Sequence, residues 1–145
     1  RPEGYDILGS YASGSNANDA KLKPFLPSII QVPRNGKGYK NMRWPIAFSD
    51  DDAASPPQPS STAVTLRTET EPFVVAVLVF TEAATAGAAQ YYTKQLEDML
   101  DADGLARLPD ADAVYQIAQF DAIFSVGDRR NEVWIPIQVP DYWQL

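Results

Sequence analysis

The sequence predicts an α+β domain in which two helices pack on a distorted antiparallel β-sheet or barrel. Three observations support this prediction. Phe73–Phe80 is a run of eight apolar residues. The clearest amphipathic helix of the chain follows this run, and two segments of alternating apolar residues follow the helix. A weaker strand–helix–strand pattern at the front of the chain suggests that the domain consists of two related halves.

The second half of the chain carries the stronger patterns. Because Phe73–Phe80 is apolar at every position, we expect a central strand that is covered on both faces. A helix is predicted between Thr81 and Gly104, since glycine commonly ends helices. Its apolar stripe consists of Ala88, Tyr92, Leu96, Met99 and Leu100.

Two further strands are predicted after this helix. One is "AVYQIAQF", residues 113–120, and the other is "NEVWIPIQV", residues 131–139. Alternate positions of the last strand are β-branched, which predicts a face that packs on the core. The residues of this face are Val133, Ile135, Ile137 and Val139. Trp134 is expected to point the other way.

The front of the chain gives weaker signals. A short strand is predicted near Tyr5–Leu8, before a stretch rich in glycine, serine and asparagine. A short helix is predicted to begin near Pro24, where the missing N–H of proline costs nothing. Pro33 and Gly36 are expected to mark the end of this helix.

The remaining segments complete one expected domain, residues 1–145. Strands are predicted at residues 37–48 and 62–68. Between them lies an Asp- and Pro-rich loop, residues 50–61, whose composition cannot pack as a core. Residues 140–145 form a C-terminal tail.

The sequence contains no cysteine and no histidine. Their absence excludes disulfide bonds, thiol nucleophiles, Ser/His/Asp triads and histidine ligation of a metal. No phosphate-binding glycine loop or zinc-protease motif is present. The run Asp50–Asp52 is interpreted as solvated charge, because a cation site would need further ligands from elsewhere. We therefore expect no metal site and a protein that is not an enzyme.

The net charge of −7 argues against nucleic-acid binding. Residues 1–45 carry seven basic and three acidic side chains, whereas residues 46–145 carry five and sixteen. The basic front is interpreted either as a solvated face or as a surface for an anion or a partner. The longest apolar run is too short to span a membrane. Because the chain starts at Arg1, we expect a processed or trimmed protein whose compartment is unknown.

The ending "RRNEVWIPI", residues 129–137, resembles the last strand of the SOUL/haem-binding protein family. Other segments that resemble the family occur in the family's order. They are "FLPSII", "NMRWPI", "PPQPSSTAV", "FVVAVLVF" and "KQLEDML". The resemblance extends from Phe25 to Ile137. Two features depart from the family pattern: "AFSDDDAAS" stands where the family has another strand, and "NMRWPI" alters the usual "MTAPV" segment.

The resemblance implies a SOUL-like fold and a binding or carrier role for haem or a related tetrapyrrole. Some members are thought to hold haem without histidine, in an apolar groove whose basic residues meet the propionates. The candidate groove residues are Phe25, Leu26, Ile29, Ile30 and Met42. The candidate propionate-binding residues are Lys21, Lys23, Arg34 and Lys37. The alternative interpretation is that these side chains are ordinary core and surface residues.

A second function class is an accessory subunit that keeps the fold but binds no haem. The shortened front half and the missing histidine favour this alternative. The tail also favours it, because Tyr142 and Trp143 are residue types enriched at protein interfaces. The same two side chains could instead fold back onto the domain. By analogy with plastid members of the family, a plastid or other organellar membrane complex is the expected host, reached without a transmembrane segment.

Overall fold

The computed structural model describes residues 3–46, 56–69, 73–121 and 129–143. Within them the chain forms two α-helices, one short 3₁₀ helix and five strands. In chain order these are α1 (Glu3–Ala12), β1 (Ser28–Pro33), β2 (Asn41–Arg43), β3 (Val75–Phe80), α2 (Ala86–Asp103), the 3₁₀ helix (Pro109–Asp112), β4 (Val114–Gln119) and β5 (Asn131–Pro136).

The five strands form one antiparallel sheet in the order β2-β1-β4-β5-β3. Between the described residues of β2 and β3 no pairing closes the sheet into a barrel. Two helices on an antiparallel sheet confirm the predicted α+β class. No helix in the described ranges is long and apolar enough to cross a bilayer.

Both helices lie on the same face of the sheet, called here the helix face. Ile30 of β1 is paired with Ile117 of β4 and with Met42 of β2, so these side chains share that face. α2 covers the part of the helix face that β4, β5 and β3 form, and α1 lies over Met42 at the part that β2 forms. The opposite face, called the open face, carries no helix among the described residues.

The hydrophobic core lies between α2 and the helix face. Its buried members are Phe80, Ala89, Leu96, Leu100, Ala111, Ile117, Val133, Ile135 and Ile137. The Thr85 hydroxyl caps the start of α2 by accepting from the Ala88 N–H, and Gly104 ends the helix in a left-handed conformation. The predicted helix end is therefore confirmed.

The predicted helix near Pro24 is wrong, because Ser28–Pro33 is a strand that pairs along its whole length with β4. Pro27 provides no N–H to a helix, and the adjacent Ile29 and Ile30 point to opposite faces of the sheet. Two consecutive β-branched residues suit a strand that is half-covered on each side.

The predicted strand at Tyr5–Leu8 is also wrong, because these residues lie within α1. The more covered positions of α1 recur at i, i+1, i+4, i+5, i+7 and i+8, which is a helical stripe. The acidic residues Glu3 and Asp6 occupy its first turn, where the helix dipole favours negative charge.

Four further expectations need correction. Residues 62–68 form no strand; the segment instead turns at Ser61, whose hydroxyl accepts from the Ala63 N–H. Phe73–Phe80 contains an edge strand of the described sheet and not a central one. Met99, predicted in the apolar stripe of α2, is exposed. Val139, predicted on the core face of the last strand, is exposed as well, whereas Val133, Ile135 and Ile137 of that face are buried. The run at 50–52 lies outside the described residues.

Candidate functional site

The predicted groove residues do not line one slot. Ile30 and Met42 face each other across the β1–β2 pair on the helix face. α1 lies so close to Met42 that a Cβ on Gly4 would lie 3.4 Å from its Sδ. Ile29 lies on the open face, opposite Arg43 and Ala118. The two faces of the sheet therefore separate Ile29 from Ile30 and Met42.

Phe25 and Leu26 lie on an extended segment that precedes β1. Their exposed fractions are 46% and 61%, which are high for large apolar side chains. The Phe25 N–H donates to the carbonyl of Pro45, which holds the segment beside the residues that follow β2. Lys21 and Lys23 on the same segment are exposed as well. The segment Lys21–Leu26 therefore presents two apolar side chains and two cations to solvent.

Asn16 fixes the start of this segment. Its buried side-chain amide donates to the carbonyls of Tyr11 and Ala20, and its Oδ1 accepts from the Ala20 N–H. The Leu22 N–H then donates to the carbonyl of Ala12, the last residue of α1. A polar side chain buried and fully bonded in this way ties the segment to the C-terminal end of α1.

Arg34 is not available to a ligand carboxylate in this structure. Its Nη1 lies 2.5 Å from Oε1 of Glu97 on α2, and its guanidinium lies over the ring of Tyr115 at 5.0 Å. Its Nε and Nη2 donate to the carbonyls of Val114 and Ala111. These contacts join the end of β1 to α2 and to the start of β4.

Lys37 lies in the turn between β1 and β2, at the far end of β1 from Phe25. β1 is six residues long, so its two ends are roughly 17 Å apart. Lys37 is exposed, and its N–H donates to Oδ1 of Asn35. The predicted cations thus fall into two groups at opposite ends of β1: Lys21 and Lys23 adjoin the exposed Phe25 and Leu26, whereas Lys37 lies two residues before the exposed Tyr39.

A polar cluster under α1 was not predicted from the sequence. The Tyr5 hydroxyl donates to Oε1 of Gln119 at 2.7 Å, and burial raises the pKa of Tyr5. The ring of Tyr5 also contacts Trp44, with 5.9 Å between centroids. The buried indole N–H of Trp44 has no hydrogen-bond partner among the described residues. The spacing of Tyr5, Leu8 and Ala12 was the signal for a covered helix face.

A cavity of about 270 Å³ lies between α1 and the segment around Ser60. Ser10 and Tyr11 line it on one side, and Ser61 and Val64 line it on the other. It is smaller than the 300–1,000 Å³ of most small-molecule sites, and no predicted ligand residue lines it. This cavity is therefore too small to enclose a large flat ligand.

The family model described as SOUL heme-binding protein matches residues 1–136 of the chain. The matched range includes the segment Lys21–Leu26 and most of the ending "RRNEVWIPI". Comparison with individual curated proteins finds no match.

Proposed function

The chain belongs to the SOUL heme-binding protein family, and we propose that it binds haem or a related tetrapyrrole, as a binding or carrier protein and not as an enzyme. The observation that carries the proposal is the segment Lys21–Leu26. It leaves two large apolar side chains in water next to two lysines. A flat apolar ring with carboxylate substituents has the complementary chemistry.

In this proposal Phe25 and Leu26 contact the ring. Covering a Phe or Leu side chain is worth about 1.5–3 kcal/mol when the side chain starts fully exposed. Both side chains are already about half covered, so each would contribute roughly half of that. Lys21 and Lys23 would pair with the carboxylates, and as flexible point charges they tolerate several positions of the propionate arms.

The side chains of the segment fit a ring that is held through its face and its carboxylates. The sequence has no histidine or cysteine to coordinate a haem iron. In the described part of the chain, no group of acidic residues could hold a metal ion. Met42 is a residue type that ligates haem iron, but it lies beneath α1. The segment Lys21–Leu26 contains no methionine or tyrosine either. Binding at this segment should therefore depend little on the metal, and a metal-free porphyrin should bind much as haemin does.

The test is a titration with haemin followed by absorbance in the Soret region. The wild-type protein should show a saturable shift near one equivalent. The double variant Phe25→Ser/Leu26→Ser should bind at least about tenfold more weakly, since about 1.4 kcal/mol corresponds to a factor of ten. Lys21→Glu/Lys23→Glu should also weaken binding, and should do so more at low salt.

The matched control is Lys37→Glu/Lys40→Glu. It makes the same change in charge on two exposed lysines of the β1–β2 turn. This variant should bind like the wild type. An absorbance change that does not saturate, or one that all three double variants share, would contradict the proposal.

A second candidate function is docking within a larger complex. Tyr142 and Trp143 are exposed and pack edge-on against each other, with 6.5 Å between ring centroids. Aromatic side chains of this kind are enriched at protein interfaces. Native size analysis in the source cells would test this role with Tyr142→Ala/Trp143→Ala as the comparison. Equal migration of both forms as free protein would exclude docking through the tail.

A further inference from the structure

The two edges of the described sheet differ in how they are protected. β2 is three residues long, contains Arg43 and follows Lys40, which are features that discourage pairing with another strand. β3 is six residues long and contains no charge and no proline. Among the described residues no strand pairs with the outer side of β3. β3 is therefore the edge at which strand addition is least hindered.

The backbone groups that face outward from β3 can be identified from its pairing with β5. The Ile137 N–H donates to the carbonyl of Val74, and Val75 is paired with Pro136. Because hydrogen-bonded and non-bonded pairs alternate in an antiparallel ladder, the even residues of β3 bond to β5. The N–H and C=O groups of Val75, Val77 and Val79 therefore point away from the sheet.

The side chains beside this edge are also apolar and incompletely covered. Val77 and Val79 lie on the open face with exposed fractions of 43% and 52%. On the helix face, Tyr92 of α2 stacks on Phe80 of β3, with 4.6 Å between ring centroids. The exposed Met99 lies on the same flank of α2 as Tyr92, two turns further along.

We propose that a second copy of this chain pairs with β3 in antiparallel fashion, about a two-fold axis at Val77. In this register Val77 lies opposite Val77 of the second copy, and Val75 lies opposite Val79 of the second copy. Each Ala76 faces the larger Leu78 across the axis, so small and large side chains alternate. The two five-stranded sheets become one sheet of ten strands, and the two α2 helices lie side by side.

Sequence symmetry favours a second copy over an unrelated partner, and the absence of charge on β3 permits it. The chain carries a net charge of −7, but β3 contributes none of it, so identical strands can pair without direct repulsion. Glu82, just beyond the strand, accepts a hydrogen bond from the Tyr92 hydroxyl of its own chain. In the V-A-V-L-V pattern, valines occupy every second position whichever way the strand is followed. An isologous contact requires this symmetry, because the same strand lies on both sides of it.

Hydrogen exchange on the wild-type protein tests the pairing without any substitution. At concentrations where light scattering gives a dimer mass, the amides of Val77 and Val79 should be protected. On dilution to monomer they should exchange at least tenfold faster. The amides of Ala76 and Leu78, which bond to β5, are the internal control and should keep their protection.

Charge substitutions test the register. Val77→Glu and Val77→Lys should each be monomeric, because like charges would meet at the two-fold axis, and an equimolar mixture should recover the dimer mass. Tyr39→Glu, at an almost fully exposed residue of the β1–β2 turn, should dimerise like the wild type. A wild-type protein that stays monomeric, or Val77 variants that still dimerise separately, would overturn the proposal. A wild-type protein that stays monomeric would leave β3 free to pair with a strand of another protein. Haem binding plays no part in this proposal, so the pairing of two copies and the binding of haem can each be refuted without the other.

Discussion

The indole N–H of Trp134 donates a 2.7 Å hydrogen bond to Oε2 of Glu132, two residues earlier on the same strand. Glu132 is buried on the open face, and its other oxygen accepts from Nη2 and Nε of Arg130 at 2.7 and 3.1 Å. Asn131 lies on the helix face and donates to the carbonyl of Glu82 at 2.8 Å. The family-like ending thus holds the polar side chains of Asn131 and Glu132 within the sheet through hydrogen bonds of the chain itself.

Replacing Glu132 by Ala should lower the free energy of unfolding by about 1–3 kcal/mol, because the indole N–H and the Arg130 guanidinium lose a buried acceptor. Urea unfolding followed by Trp fluorescence and circular dichroism would measure this loss. Trp134→Phe removes the indole N–H but keeps the pair of Glu132 with Arg130. The loss of this one hydrogen bond should therefore lower the free energy of unfolding less than Glu132→Ala does. An unchanged midpoint for Glu132→Ala would contradict a structural role for this carboxylate.

The neighbouring carboxylates Glu97 and Asp98 of α2 should differ in their effect on stability. Glu97 is 12% exposed and contacts Arg34 at 2.5 Å and Arg107 at 3.4 Å, so Glu97→Gln should cost about 1.5–3 kcal/mol. Asp98 is 60% exposed and pairs with Lys94, so Asp98→Asn should cost at most about 1 kcal/mol. Denaturant unfolding of the two variants would measure both losses of stability. Equal losses would show that the contacts of Glu97 contribute no more to stability than the pair of Asp98 with Lys94.

Glu82 should titrate below its ordinary pKa. The hydrogen bond from the Tyr92 hydroxyl is the main cause that lowers the pKa of Glu82, and the same bond raises the pKa of Tyr92. A folded-state pKa below the unfolded value gives stability that is present above the unfolded pKa and is lost as the pH falls through the folded pKa. Carboxyl NMR titration should show the pKa of Glu82 rising in Tyr92→Phe. The same value in both proteins would refute the contact.

The glycines at the two ends of α2 should respond to alanine in opposite directions. Gly104 has φ of 69°, a conformation that an L-residue adopts at a cost of about 1–2 kcal/mol, so Gly104→Ala should destabilise the fold. Gly87 lies in the first turn, and an added Cβ would meet no atom closer than 3.9 Å. Gly87→Ala should therefore stabilise by up to about 1 kcal/mol. Thermal unfolding of both variants would show the two signs, and shifts in the same direction would be inconsistent with these backbone conformations.

The second half of the fold could be predicted because its local patterns agree with its packing. In β5 the alternation of Val133, Ile135 and Ile137 matches a face that lies wholly in the core. In α2 the prediction of Leu96 and Leu100 as buried was correct, but the buried Thr93 was missed because a threonine gives no apolar signal. Apolar periodicity therefore located these elements, although it did not fix which flank of the helix is covered.

The front half was mispredicted because long-range pairing decides its structure. Ile29 and Ile30 satisfy a helical spacing, but their pairing with β4 places them on opposite faces of a sheet. As a result, the two isoleucines of the candidate groove do not lie together, since a strand places consecutive side chains on opposite faces. The engagement of Arg34 by Glu97, which lies 63 residues away, also has no local signal. Only the exposed segment Lys21–Leu26 keeps its predicted apolar and basic side chains together.

The most direct test of the proposed function is amide NMR mapping with zinc protoporphyrin, which is diamagnetic. The proposal predicts saturable shifts near one equivalent, concentrated in residues 20–26 and at Ala12, whose carbonyl accepts from the Leu22 N–H. The β1–β2 turn around Lys37 should remain unshifted. An absence of saturable shifts, or shifts confined to that turn, would contradict tetrapyrrole binding at the segment Lys21–Leu26.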